Sequence, residues 1–270
     1  MFTLAVLLAT LASAYTLPAF THSFSIPKII GRNEWNPSSS FTHGDIQNRA
    51  ESDSAGSNSL PPIYTQCTTP DTVALTSDDG PYDFMYNISD TLTANGAKGT
   101  FFVNGYNYQC IYSDENIKRL RYIVRHQIAS HTWSHPHLKD ASPYWTLFTA
   151  SLNDDQVREE LSKIDEAILR ITALVIWSYD SGDSKPNARS PSGVREQRSV
   201  YDSCVNGKKT IGIFLNHEVY GTTAHELVPC AVAKLKAAGY KMVTLAECLG
   251  LDAYRGPPVP PSNKDHTWKY

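Results

Sequence analysis

The sequence predicts an α/β fold: a mostly parallel sheet covered by helices, left open or closed into a barrel. Three observations carry this reading. At 270 residues, with 41% hydrophobic and 19% charged, the chain can bury a full core as one large domain or two small ones. From about residue 61 onward, short apolar runs suited to buried strands alternate with stretches of helical periodicity, the pattern of parallel strands joined by crossover helices. The strand runs also end in Asp and His, at the sheet edge where parallel α/β folds gather their ligands.

In chain order, residues 1–14, "MFTLAVLLATLASA", form a short apolar segment closing on Ala12-Ser13-Ala14, the small-x-small form of a signal peptidase site. The segment is too short to span a bilayer, and no later stretch approaches that length. The expectation is a secreted protein, extracellular or in a cell wall, with no membrane span. Residues 15–60, including "NPSSSF" and "ESDSAGSNSLPP", are rich in Ser, Asn and Pro without periodicity and read as a propeptide or flexible linker.

The folded domain is expected over 61–250. Strands are predicted at "TVALTS", "KGTFFVN", "QIAS", "ALVIWSY", "TIGIFLN" and "KMVTL", with helices over 84–95, 114–126, 153–171 and 223–238. Residues 251–270 are Pro-rich and read as a loose C-terminal tail.

Cys67, Cys110, Cys204, Cys230 and Cys248 all lie beyond the signal segment, so one is left over after pairing. Their spacings match no zinc finger, and an oxidising exterior favours bridges. A Cys67–Cys248 bridge is expected because these two bracket the folded domain. Asn87-Ile88-Ser89 is a glycosylation sequon. A net charge of -3, with no run of Lys and Arg, excludes nucleic acid as an expected partner. A monomer is expected.

The chemistry gathers at four strand ends. "VALTS" runs into Asp78-Asp79, "QIAS" into His131, "ALVIWSY" into Asp180 and Asp183, and "TIGIFLN" into His217-Glu218. Within "SHTWSHPHL", His131 and His135 stand at i and i+4, so on a helical turn both imidazoles would face one metal ion. His137 falls off that face and, like His126, reads as structural. Two imidazoles and one carboxylate leave an open coordination position, the mark of a catalytic rather than a structural metal. If one of Asp78 and Asp79 binds the metal, the other is left beside the attacking water, free to take its proton. His217, at another strand end, is the candidate acid for the leaving group.

"LTSDDGP", "SHTWSHPH", "WSYDSGDS" and "FLNHE" resemble the ordered motifs of the polysaccharide deacetylases of carbohydrate esterase family 4. "NHEVYGTTAHELVP" resembles in particular the fungal chitin deacetylases. The resemblance covers roughly residues 61–250. It implies a distorted (β/α) barrel and hydrolysis of the N-acetyl group of N-acetylglucosamine units in chitin or its oligosaccharides. It also implies a divalent metal, Zn2+ first and Co2+ as the alternative.

By the same resemblance Asp78 is the catalytic base, Asp79, His131 and His135 form the metal triad, and His217 is the catalytic acid. Asp183, ahead of Asp180, is the residue that orients His217. Leu215 lines the acetyl pocket, and Trp177 and Tyr179 pack below the site or belong to the core.

The sequence departs from the family pattern in two places. Ser77 stands where the first motif has Phe. The Arg-Pro-Pro-Tyr segment and its following helix, expected before "TALVIWSY", are not found, and "ARSPSG" at 188–193 resembles the segment only out of order. The barrel is therefore expected to lack one strand and one helix, leaving an unpaired edge. The family Arg also bonds the base, so catalysis is expected to be impaired. A catalytically inactive chitin-binding pseudoenzyme and an O-acetyl xylan esterase are the alternative readings.

Overall fold

The computed structural model describes residues 63–136, 152, 154–167, 173–207 and 212–254. The expected signal segment, linker and C-terminal tail beyond Tyr254 lie outside these residues, as does His137.

The strands are β1 (Ile63–Tyr64), β2 (Thr72–Gly80), β3 (Thr100–Val103), β4 (Gln127–Ser130), β5 (Leu174–Val175), β6 (Tyr179–Asp180), β7 (Gly212–His217) and β8 (Lys241–Val243). The helices are α1 (Met85–Ala94), α2 (Asp114–Tyr122), α3 (Asp154–Ala167), α4 (Pro191–Asn206), α5 (Val228–Ala237), preceded by a π-helical turn at Thr223–Leu227, and α6 (Leu245–Leu249).

Six strands form the main sheet in the order β4-β3-β2-β7-β6, with β8 pairing the start of β2, and every pair is parallel. All nine residues of β2 are buried, as a central parallel strand with both faces covered requires. Among the described residues this path does not close into a ring, and no strand lies on the outer edge of β4. No described helix is long and apolar enough to cross a membrane.

The helices cover the sheet with the faces their spacing dictates. α1 buries Met85, Ile88, Ser89 and Leu92, and α5 buries Val228, Ala231, Val232 and Leu235. α4 buries Val194, Gln197, Tyr201 and Cys204 on one face at helical period, with the Gln197 amide donating to the Ala188 carbonyl. Tyr179 and Tyr201 both stack on Phe214, with ring centroids 4.7 Å apart in each pair. Cys67 and Cys248 are joined by a disulfide across 181 residues, tying the segment before β2 to the last helix.

Three sequence expectations are corrected. "ALVIWSY" is not one strand: Leu174–Val175 pairs with β1 in a separate two-stranded sheet, whereas Tyr179–Asp180 joins β7. "KMVTL" stops at Val243 because Thr244 becomes the N-cap of α6. Its hydroxyl accepts the Glu247 N–H while the Glu247 carboxylate accepts that of Thr244, a complete capping box. The helix over 223–238 opens with the π turn instead of starting as regular α-helix. α4 was not foreseen, although Ser190 as N-cap and Pro191 in the first turn are its start signals.

Candidate active site

The β2–β7 ladder sets Asp78 directly opposite His217. On a regular strand Asp79 would face away from Asp78. Here the register against β3 shifts between Ser77 and Gly80, and Asp79 takes a left-handed φ of 72°. The irregularity brings both carboxylates to one imidazole: His131 Nε2 lies 3.8 Å from Asp78 Oδ2 and 3.5 Å from Asp79 Oδ1. His135 Nε2 lies 3.2 Å from the same Asp79 oxygen.

His131 and His135 are not on a helical turn, contrary to the i,i+4 expectation. They sit in a loop after β4 in which Thr132 and His135 have φ of 71° and 54°. Such strained residues persist only when their surroundings hold them. Asn104 donates to the carbonyl of Thr132, and the His135 N–H donates to the Thr132 hydroxyl. Glu160 of α3 accepts from both the backbone and the hydroxyl of Ser134, at 2.7 and 2.8 Å.

The donor set fits a divalent metal. One ligand atom each from Asp79, His131 and His135 lies within 4.8 Å of the others. Asp79 Oδ1 and His131 Nε2 are shut away from solvent without a hydrogen-bond partner among the described residues. Buried polar atoms are rarely left so. A carboxylate with two neutral imidazoles is a donor set that suits zinc.

Asp183, and not Asp180, holds His217. Its Oδ1 lies 2.7 Å from His217 Nδ1, and its Oδ2 accepts both the His217 backbone N–H and the Thr223 hydroxyl, each at 2.7 Å. Asp180 instead closes a local turn by accepting the Gly182 N–H.

The electrostatics follow from this packing. Burial alone would lower His217, but the Asp183 carboxylate outweighs it and pushes the imidazole up to about 9. Burial pushes Asp78 up to about 6, against the opposing pull of His131 and His217. Burial also acts to raise Asp79, yet the imidazoles of His131 and His135 hold it well below the usual carboxylate range. Asp79 in turn raises His135.

The remaining expected residues separate. Leu215 is buried on β7 two residues before His217 and so shares its face. Tyr179 stacks on Phe214, which points to the other face, and both Tyr179 and Trp177 are partly buried and pack against the core. His126 is structural: its Nδ1 accepts the Gly99 N–H, and its Nε2 lies 3.0 Å from the Ser89 hydroxyl. Burial lowers it to about 4. "ARSPSG" leads into α4, and the Arg189 guanidinium lies 5.4 Å over the ring of Tyr220, whose ring is in turn 6.0 Å from that of His217.

Glu160, Thr223 and Glu218 were not foreseen in their roles. The first two act on residues far away in sequence and carry no local motif.

The sequence profile of polysaccharide deacetylases matches residues 65–191. A chitin deacetylase of Pestalotiopsis sp. is 31% identical over 231 residues, covering 77% of this chain and 72% of that protein. The chain spans 49% and 54% of two relatives from Arthroderma benhamiae. It superposes on the chitin deacetylase of Colletotrichum lindemuthianum with a TM-score of 0.57 at 27% identity, over 72% of this chain and 97% of that one. A CE4 family pseudoenzyme from Bacillus anthracis shares the fold, with a TM-score of 0.54 at 19% identity, over 74% of this chain and 72% of that one.

Proposed function

Given that the chain belongs to the polysaccharide deacetylase family, we propose that it is a secreted, metal-dependent hydrolase removing N-acetyl groups from N-acetylglucosamine units of chitin or chitin oligosaccharides, with impaired catalysis. The observation that carries the reading is the lateral pairing of Asp78 with His217 beside the Asp79, His131 and His135 cluster. A base and an acid on adjacent strands of one rigid ladder, next to a metal donor set, are the parts that amide hydrolysis requires.

In this reading Asp78 takes a proton from the attacking water as its oxygen bonds to the acetyl carbon. His217 then gives its proton to the departing nitrogen as the carbon–nitrogen bond breaks, leaving acetate and a free amine. Asp183 keeps His217 protonated near neutral pH and fixes its ring. Leu215 supplies an apolar wall for the acetyl methyl. A divalent metal held by Asp79, His131 and His135, zinc first and cobalt second, would polarise the water and the carbonyl as a Lewis acid.

Support for impairment is local. Asp78 Oδ1 is buried and has no hydrogen-bond partner among the described residues, in a family whose Arg-Pro-Pro-Tyr segment bonds the base. The same observation favours a second reading, a chitin-binding pseudoenzyme. Secretion draws support from the Cys67–Cys248 bridge, since disulfides persist in oxidising compartments. Asn87 is exposed on α1, open to a glycan.

The experiment is acetate release from chitin oligomers by this chain, by Asp78→Asn, and by a chain with an Arg-Pro-Pro-Tyr strand and helix restored before Ala173. Weak release that rises on restoration and vanishes in Asp78→Asn supports the proposal. Release equal to that of the restored chain overturns the impairment. Binding of oligomers without release from either chain establishes the pseudoenzyme.

A further inference from the structure

We propose that Glu218 is a positioning residue: its carboxyl props the Asp78–Tyr82 turn from beneath, so that Asp79 is kept in its left-handed conformation and aimed at His131 and His135. The inference rests on the ligand reading above.

Glu218 follows His217 at the end of β7, and its backbone N–H donates to the Asp78 carbonyl at 3.2 Å, extending the ladder by one step. Alternation along the strand turns its side chain away from the face of His217. The side chain is fully buried. Its Oε1 accepts the Tyr82 backbone N–H at 3.0 Å, a bond across 136 residues. A Cβ at Gly80 would stand 1.9 Å from that oxygen and 2.4 Å from the Glu218 Cδ. The carboxyl thus occupies the volume a side chain at position 80 would need, which makes glycine obligatory there through close approach. The turn is held at two further points, where the Asn104 N–H donates to the Gly80 carbonyl at 2.7 Å and where Arg119 Nη2 grips Asp83 at 2.6 Å.

A residue kept only to fill this space would be apolar. Burying a carboxyl beside Asp78 and Asp79 is unfavourable, and Glu218 Oε2 has no hydrogen-bond partner among the described residues. What the carboxyl supplies and a leucine of similar size cannot is an acceptor for the Tyr82 N–H. Without that bond the turn keeps its backbone link to β7 through the Glu218 N–H but loses its side-chain anchor there, and Asp79 is held less firmly in its left-handed conformation.

The test compares Glu218→Gln, which keeps an oxygen at the same reach, with Glu218→Leu, which keeps the volume alone. Zinc affinity is read by competition with a chromophoric chelator, and exchange of the Tyr82 amide is read in the metal-free protein. The Gln variant is expected to bind zinc within about 3-fold of wild type with its Tyr82 amide protected. The Leu variant is expected to bind about 10- to 100-fold more weakly, the usual loss when a ligand-orienting partner is removed, with fast Tyr82 exchange. Wild-type affinity in the Leu variant, or equal loss in both, overturns the proposal. Should the Leu variant fail to fold, Gly80→Ala with Glu218 intact drives the carboxyl off its seat; unaltered zinc affinity and Tyr82 exchange there overturn it too. If wild type itself takes up no zinc, the ligand assignment fails, and Tyr82 exchange still decides the role of Glu218.

Discussion

Asp183 holds His217 by ring and backbone at once, with one carboxylate oxygen 2.7 Å from Nδ1 and the other accepting the backbone N–H at 2.7 Å. The double grip sets both the orientation of the imidazole and its charge.

Asp183→Asn should therefore lower acetate release on the order of 100-fold, the scale of a general-acid contribution, and move the alkaline limb of the pH–rate profile to lower pH. The folded pKa of His217 is raised, from 6.5 to about 9, so the stability it contributes is fully present below pH 6.5 and lost as pH rises through 9. The stability difference between wild type and Asp183→Asn in urea titrations should narrow over that window. A constant difference would show that Asp183 acts on His217 without controlling its charge.

Asp78 carries the opposite consequence for stability at neutral pH. Burial raises it from 3.8 to about 6, so its favourable contribution is present below pH 3.8 and gone above pH 6, where the buried carboxylate opposes folding. Asp78→Asn should abolish acetate release yet stabilise the metal-free protein at pH 7 by roughly 2 to 3 kcal/mol, at 1.36 kcal/mol per unit. Chemical denaturation at pH 7 after chelator treatment measures it. A less stable variant would mean that Asp78 is held by partners that favour its charge.

Zinc at 100 times its dissociation constant should stabilise the folded chain by about 2.7 kcal/mol, since the ligands meet only in the folded state. His131→Ala should remove the response to zinc in a thermal melt. A His131→Ala chain that still responds fully would place the metal elsewhere.

Replacing Cys67 and Cys248 by Ser should cost about 3 to 5 kcal/mol by loop-closure entropy, the bridge spanning 181 residues. Peptide mapping without reduction should recover the two cysteines linked. Unchanged stability in the double variant would show that the ends stay together through packing alone.

The legible part of the site was its donor set: Asp and His at the ends of apolar runs are informative because few other reasons place them there. The structure brings Asp78, Asp79, His131, His135, Asp183 and His217 close together. The supports were not legible. The i,i+4 spacing of His131 and His135 is met by a loop with two left-handed residues, and its anchors, Asn104 and Glu160, lie on other elements. Thr223 reaches Asp183 across 40 residues without any local signal. "ALVIWSY" showed an apolar run but not that the chain changes sheets at Ile176–Ser178, because periodicity reports burial and not which neighbour provides it. Thr244 and Glu247 did carry a readable capping signature, overlooked because the strand residues before them were stronger.

The Cys67–Cys248 bridge also governs how the chain responds to a protease. A single cut at any peptide bond between the two cysteines leaves both fragments covalently joined, and a cut between β2 and β8 leaves each carrying part of the main sheet. A nicked molecule therefore keeps its mass on a non-reducing gel and separates only after reduction. Its halves stay at high effective concentration, so a cut in a surface loop is felt as lost loop order and not as dissociation.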